Sequence, residues 1–375
     1  EVTFRPRGLH LPEIHVLVDD TPMSATNFDM ALYYFTNWKI LGGMGYGPNF
    51  IIPKLEYGPE GKHIDNICRF LEGHSGHNHG FADVSLIIET GPAMVHQHEI
   101  YHSLKDRLQK ASFGRYDAQF HIQMIFSTLA DKVYPDVAYV PMTVEFLMAQ
   151  QKSFVDACYK RGFVPKGGME QSVPQPDEAA NRPILEKIIA GTKGEIALEM
   201  TGKWALHPDS VDPIRDEFFS ALKGQNAFPY KVTNYLPPSE LLFDIPQGPS
   251  TMKDSVMEIG YVVEYAVNLL MQNGAVQMNM LMHDAATHEQ GRAKVRNRRA
   301  HGTVMTDTGI PLDKDTIARE VRNKVNQLRR QYGDLPELRI VEEVATEAMN
   351  EDEFSTHMIS KLYPRLVEVT WNKWS

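Results

Sequence analysis

At 375 residues, 42% hydrophobic and 23% charged, the chain is long enough for one large βα domain and a smaller one around a sizeable core. A formal net charge of −10 and a pI near 5.8 argue against general binding to nucleic acid or to an anionic membrane, so neither is expected as a partner. Cys68 and Cys158 are too few for a disulfide framework and fit a reducing compartment. No apolar run approaches the roughly 20 residues that a membrane helix needs.

In chain order, Val2 to Leu9 reads as a short strand carrying Arg5 and Arg7 at its end. A turn through Asp19, Asp20 and Pro22 precedes a helix from about Ala25 to Leu41, with Phe28, Tyr34, Phe35 and Trp38 as its aromatic face. Phe50 to Glu56 reads as a strand that ends near Lys54, followed by a helix around His63 to Leu71 and a Gly/His loop. Ala82 to Thr90 is an apolar strand carrying Glu89, and Ser112 to Gln123 is expected to be another, carrying Asp117. Asp136 to Thr143, Gly162 to Met169 and Gly202 to Pro208 are three more short strand-like runs with helical patterns after them.

Seven strands in βα alternation are one short of a closed barrel. No GxGxxG opens a helix after a strand, and charged residues gather at several strand ends, which favours a barrel over an open doubly wound sheet. The expected fold is therefore α/β, a (β/α)8 barrel over residues 1–225 whose first strand lies upstream of Glu1. A Pro-rich linker or wrapping loop (residues 226–252) and a helical C-terminal domain (residues 253–375) follow. In the latter, Asp313 to Gly333 has acidic residues early, basic ones late and a closing glycine, as a capped surface helix should.

Glu89 and Asp117 are predicted to emerge together at the carboxyl edge of the sheet. Two carboxylates meeting there suit a hard divalent cation, although each is equally readable as a strand-end carboxylate in a salt bridge. His98, Glu99 and His102 match HExxH, the zinc-hydrolase pattern, but on a crossover helix that a barrel places in its outer ring. His74, His77 and His79 read as a solvated loop. The basic run Arg292, Lys294, Arg296, Arg298 and Arg299 reads as a solvated helix face or a contact to a phosphorylated cofactor. Asp284 reads as an N-cap at a turn into a helix.

Together FRPRGLHLPEIHV, FDMALYYFTN, FIIPKLE, LIIET, GRYD, KRGF followed by GGM, KWALHP and LMHDAATHEQGR resemble the malate synthase family, in that family's order and over nearly the whole chain. The resemblance implies a (β/α)8 barrel with a helical C-terminal domain, and an acyltransferase of the glyoxylate cycle. The implied reaction is Mg2+-dependent condensation of acetyl-CoA with glyoxylate, then hydrolysis to malate and CoA. It implies Glu89 and Asp117 as magnesium ligands and Arg5 and Asp284 as catalytic residues. The same resemblance implies that Arg5, Glu89, Gly114, Arg115, Tyr116 and Asp117 line the glyoxylate site and that Lys54, Trp204 and Pro208 bind CoA. The sequence departs from the family pattern at Arg107, Lys110, Ala111, Ser112, Tyr116, Glu170, Gln171 and His283, so an altered pocket wall is expected. The alternatives are a CoA-ester lyase of the malyl-CoA type, a synthase for another 2-oxo acid, and a non-catalytic barrel. The ending lacks Ser-Lys-Leu, for which a cytoplasmic location is the expectation.

Overall fold

The computed structural model describes residues 2–355 and 357–374. The chain divides into two compact units, one of Glu1–Ala118, Ala149–Glu170 and Pro174–Leu242, the other of Gln119–Met148, Gln171–Val173 and Phe243–Ser375.

The first unit opens with β1 (Thr3–Phe4) and a hairpin of β2 (Pro12–Val18) and β3 (Thr21–Ser24). Asp19 and Asp20 at the hairpin tip both have positive φ, 49° and 59°, the backbone that a tight hairpin turn requires. Next come α1 (Ala25–Gly43), β4 (Asn49–Ile52), α2 (Gly58–Ser75), β5 (Asp83–Ile88), α3 (Gly91–Ser103) and β6 (Leu108–Phe113). After α4 (Arg115–Ile125) and α5 (Glu145–Lys160) the chain forms β7 (Val164–Lys166). One parallel sheet has the order β1-β4-β5-β6-β7. Phe50, Ile51, Ile52, Val84, Leu86 and Ile88 are all buried, which is why β4 and β5 read as continuous apolar runs rather than alternating ones. A separate parallel pair, β8 (Met169–Glu170) with β9 (Trp204–Ala205), is joined through α6 (Glu178–Ala197), and α7 (Val211–Leu222) and α8 (Ser239–Leu242) follow.

Two expected strands are corrected. The segment 112–123 is a strand only at its start: β6 lies earlier, and Asp117 sits in the first turn of α4. Ala118, Phe120, Ile122 and Gln123 are fully buried, so the helix carries no polar stripe from which a helical period could be read. The run 136–143 holds only a 3-10 turn, Val137–Tyr139. Pro135 and Pro141 bracket it, and the Asp136 amide donates to the Pro249 carbonyl at 2.9 Å. The Pro-rich segment is a fixed loop rather than a free linker in its first half, because Asp156 accepts from Tyr230 Oη, Thr233 N and Oγ1, and Tyr235 N.

The second unit is built on α9 (Met252–Leu270), the hairpin β10 (Val276–Met278) and β11 (Leu281–His283), and then α10 (Ala285–Ala300), α11 (Lys314–Tyr332), α12 (Pro336–Asn350) and α13 (Met358–Trp374). Ile259, Val262, Val263, Ala266, Val267 and Leu270 recur at helical spacing on α9 and pack with Val321, Val325 and Leu328 of α11 and Val341 and Val344 of α12. The expected caps of α11 are present: Asp313 accepts from Thr316 N at 2.7 Å, and Gly333 closes the helix at φ 85°.

The basic run is corrected most sharply, because Arg292, Lys294, Arg296 and Arg298 are buried on α10. Arg292 meets Glu289 at 2.7 Å and Glu351 at 3.0 Å; Arg298 meets Asp254 and Asp136, each at 3.0 Å; Lys294 meets Asp254 and Glu258. A helix read as solvated or phosphate-binding is the ion-paired interior of this unit. Among the described residues no helix is long and apolar enough to cross a membrane.

Candidate active site

Four adjacent parallel strands, β1, β4, β5 and β6, are followed directly by Arg5, Pro53-Lys54, Glu89 and Gly114 respectively. The β5–β6 register pairs Ile88 with Phe113, so Glu89 and Gly114 leave the sheet side by side. The Gly114 amide donates to the Ile88 carbonyl at 2.9 Å. A Cβ on Gly114 would lie 2.6 Å from Glu89 Cβ and 2.8 Å from Glu89 Oε2, a gap that no side chain fits. Three residues on, Asp117 enters the pocket from the first turn of α4, where the helix N-terminus favours a negative group. On the other flank, Thr90 caps α3 by accepting from Ala93 N at 3.1 Å and donates to the Leu55 carbonyl at 3.1 Å. This contact ties the end of β4 to the end of β5.

Glu89 and Asp117 are buried, 3% and 4% exposed. Lys54 Nζ stands 2.9 Å from Asp117 Oδ1 and 3.7 Å from Glu89 Oε1. The Asp117 contact is an ion pair at hydrogen-bonding distance, although Oδ1 receives no well-directed hydrogen bond. The Lys54 backbone amide donates to Glu89 Oε1 at 3.0 Å, from a left-handed backbone with φ 59°. Arg5 Nη2 lies 3.9 Å from Glu89 Oε1 with its side chain 49% exposed. Burial raises the Glu89 carboxyl above its ordinary value, with Asp117 adding to the rise and Lys54 and Arg5 opposing it. Burial also acts to raise Asp117, but the nearer Lys54 ammonium outweighs it and holds that carboxyl below its ordinary value. Burial would lower Lys54, yet the two carboxylates hold it above the usual lysine range.

The two arginines of RPRG separate cleanly. Arg7 is engaged by Asp29 at 2.7 Å and Glu13 at 2.8 Å, tying the β2–β3 hairpin to α1, whereas Arg5 reaches the carboxylate pocket with half its side chain in solvent. Arg115 stacks its guanidinium over Tyr116, 4.3 Å from the ring centroid, and donates to the Tyr116 hydroxyl. Trp204 Nε1 donates to Ser112 Oγ at 2.8 Å, while Pro208 is exposed at the start of a 3-10 turn. Asp284 is the N-cap of α10, its Oδ1 accepting from Ala286 N at 3.0 Å and Thr287 N at 3.2 Å. Asp284 belongs to the second unit and the other site residues to the first.

Lys54, expected at the CoA, thus has its ammonium committed to Glu89 and Asp117. The available signal was a lone lysine at the carboxyl end of a buried strand. The departures from the family pattern also sort by place. Arg107 lies just before β6, at the opposite edge of the sheet, fully buried between Asp65 at 2.9 Å and Glu72 at 2.8 Å; it belongs to the base of the sheet rather than to the pocket wall. Ser112 holds Trp204, and Glu170 faces Lys203 at 3.3 Å, with Glu195 on the same ammonium at 3.3 Å.

The zinc-hydrolase pattern does not assemble a metal site. Arg161 Nε points at His98 Nδ1 from 3.5 Å, while Glu99 is paired with His96. Burial, with Arg161 and Lys160 adding to it, lowers the affinity of His98 for a proton, and the same cationic neighbours oppose a bound dication. Of the loop histidines, His77 stacks on Phe81 at 3.7 Å and His79 meets Asp65 at 3.2 Å.

Residues 1–235 match the family model for the malate synthase TIM barrel domain, and residues 250–366 the model for the malate synthase C-terminal domain. The chain belongs to the malate synthase family. It is 32% identical to the glyoxysomal malate synthase of Candida tropicalis, over 84% of this chain and 58% of that protein. It is 30% identical to the malate synthase of Myxococcus xanthus, over 88% of this chain and 62% of that protein. The chain thus spans about three fifths of the length of these malate synthases. The Haloferax volcanii malate synthase solved as a pyruvate/acetyl-CoA ternary complex shares the fold, with a TM-score of 0.51 at 17% identity, over 86% of this chain and 76% of that one. The architecture is accordingly the family's TIM barrel with a helical C-terminal domain; the β1-β4-β5-β6-β7 sheet and the β8–β9 pair are its described strands in the first unit.

Proposed function

We propose that the chain carries out the malate synthase reaction, joining the acetyl-CoA methyl carbon to the aldehyde carbon of glyoxylate and hydrolysing the thioester to malate and CoA. The observation that carries this reading is the buried Glu89–Asp117 pair at the carboxyl edge of the sheet, with the half-exposed Arg5 3.9 Å from Glu89. A divalent cation fits the residues present. The donors are hard carboxylate oxygens, water is largely excluded, and Asp117 Oδ1 lacks a directed hydrogen bond. Glu89 and Asp117 would hold Mg2+, which when bound supplies charge that polarises the aldehyde and neutralises the carboxylate of glyoxylate.

The remaining chemistry falls to the chain's own groups. Asp284 takes a proton from the thioester methyl group, a weak carbon acid that needs a positioned base. The Arg5 guanidinium stabilises the enolate oxygen that develops, and its partial exposure leaves it free to turn toward substrate. Gly114 leaves room for glyoxylate beside the carboxylates, Arg115 and Tyr116 at the start of α4 seat it, and Trp204, fixed by Ser112, flanks the thioester arm. Carbon held against carbon then supplies much of the rate.

The test is release of free CoA, followed with a thiol reagent, from acetyl-CoA plus glyoxylate with Mg2+. Release that needs glyoxylate and Mg2+ and collapses in Asp284→Asn supports the reading. A folded, Mg2+-binding protein that releases none rejects this substrate pair, and cleavage of malyl-CoA and turnover of other 2-oxo acids are then measured with the same assay.

A further inference from the structure

Lys54 occupies an unusual place for a lysine. Its side chain is 13% exposed, its Nζ approaches both buried carboxylates, and its backbone is bent into the left-handed region so that its amide also reaches Glu89 Oε1. Left-handed backbone in a residue with a side chain is costly and persists where the surroundings enforce it. Arg5, a second cation near Glu89, is half exposed and farther away at 3.9 Å, so it turns toward solvent at little cost. Lys54 leaves only by withdrawing its ammonium from Asp117. A dication bound by Glu89 and Asp117 would share the oxygens that Lys54 now faces, with two like-charged groups a few ångströms apart.

We propose that Lys54 is a resident counter-cation of the Glu89–Asp117 pair, neutralising it when no metal is bound and giving way at Asp117 Oδ1 when a divalent cation enters. Lys54 thereby lowers the affinity of the site for the cation while keeping the empty pocket folded. Two buried carboxylates without a cation repel each other and carry the full cost of desolvation. With the ammonium in place, the pocket tolerates being empty between turnovers. The inference rests on the reading of Glu89 and Asp117 as metal ligands, and it assigns Lys54 to the metal site rather than to the CoA.

Titration calorimetry with MgCl2 on the full chain, in the wild type and in Lys54→Met and Lys54→Arg, tests it without any measurement of activity. Lys54→Met is expected to bind Mg2+ at least about tenfold more tightly than the wild type, because a like charge beside the cation has been removed. Lys54→Arg, which keeps the charge, stays near the wild-type value. Without metal, Lys54→Met melts below the wild type, and MgCl2 raises its melting temperature more than it raises that of the wild type. Equal or weaker binding by Lys54→Met, with normal binding by the wild type, overturns the role of Lys54. No binding by the wild type overturns the metal reading instead. Should Lys54→Met fail to fold, acylation of Lys54 in the wild type is followed by peptide mass spectrometry with and without MgCl2. Displacement from the pocket raises its labelling; unchanged or reduced labelling rejects the inference.

Discussion

A single missing methyl group holds the carboxylate pocket open. Gly114 is needed for space rather than for its backbone, since a Cβ there would press on both Glu89 Cβ and Glu89 Oε2 at under 3 Å. Gly114→Ala is therefore expected to push the Glu89 carboxylate out of position and to cost about 1–3 kcal/mol of stability by overpacking. Calorimetry should find its Mg2+ binding lost or strongly weakened, and urea unfolding a lower midpoint; a variant indistinguishable from the wild type in both would show that the strand ends give way. At this scale the proposed site residues were legible as types, since Arg5, Glu89, Asp117 and Gly114 all sit in motifs that resemble the family's. Their partners were not. Nothing local to FIIPKLE says that its lysine faces a carboxylate 35 residues away on one strand end and another on a helix, Glu89 and Asp117.

The second unit turns on one element whose composition misleads. Helix α10 carries Arg292, Lys294, Arg296 and Arg298, yet all are buried, because α9 presents Asp254 and Glu258 and the segments around Asp136 and Glu351 supply further carboxylates. A buried cation that loses its partner is far more costly than a surface one. Asp254 serves both Lys294, at 3.3 Å, and Arg298, at 3.0 Å, so Asp254→Asn is expected to destabilise the protein by roughly 3 kcal/mol, read as a lowered midpoint in urea. An unchanged midpoint would mean that Asp136 and Glu258 satisfy both cations alone. The caps and charge order of α11 were plain in the sequence, and one face of that helix is buried. In α4 and α10 the burial extends around the helix, and no polar face marks the period.

For the whole molecule, the two proposed roles fall on residues of different units: the proposed metal ligands, Glu89 and Asp117, belong to the first and the proposed base, Asp284, to the second. The two halves are therefore separable. Glu89→Gln is expected to lose both Mg2+ binding and CoA release, whereas Asp284→Asn loses CoA release and keeps wild-type Mg2+ affinity by calorimetry. Loss of Mg2+ binding in Asp284→Asn would reject that division of roles. By itself the sequence determined what local pattern and residue type determine: the apolar runs of β4 and β5, the helical C-terminal pattern with its capped α11, the turn at Asp19–Asp20, and the motifs that resemble the family's. Only the tertiary structure decided that residues 115–125 are helix rather than strand, that Lys54 lies between the two carboxylates, that Arg107 belongs to the base of the sheet, and that the basic run is interior. The reason is physical. Periodicity reports burial on one side of a segment and is silent when every side is buried, and an ion pair depends on which distant groups the fold brings within a few ångströms.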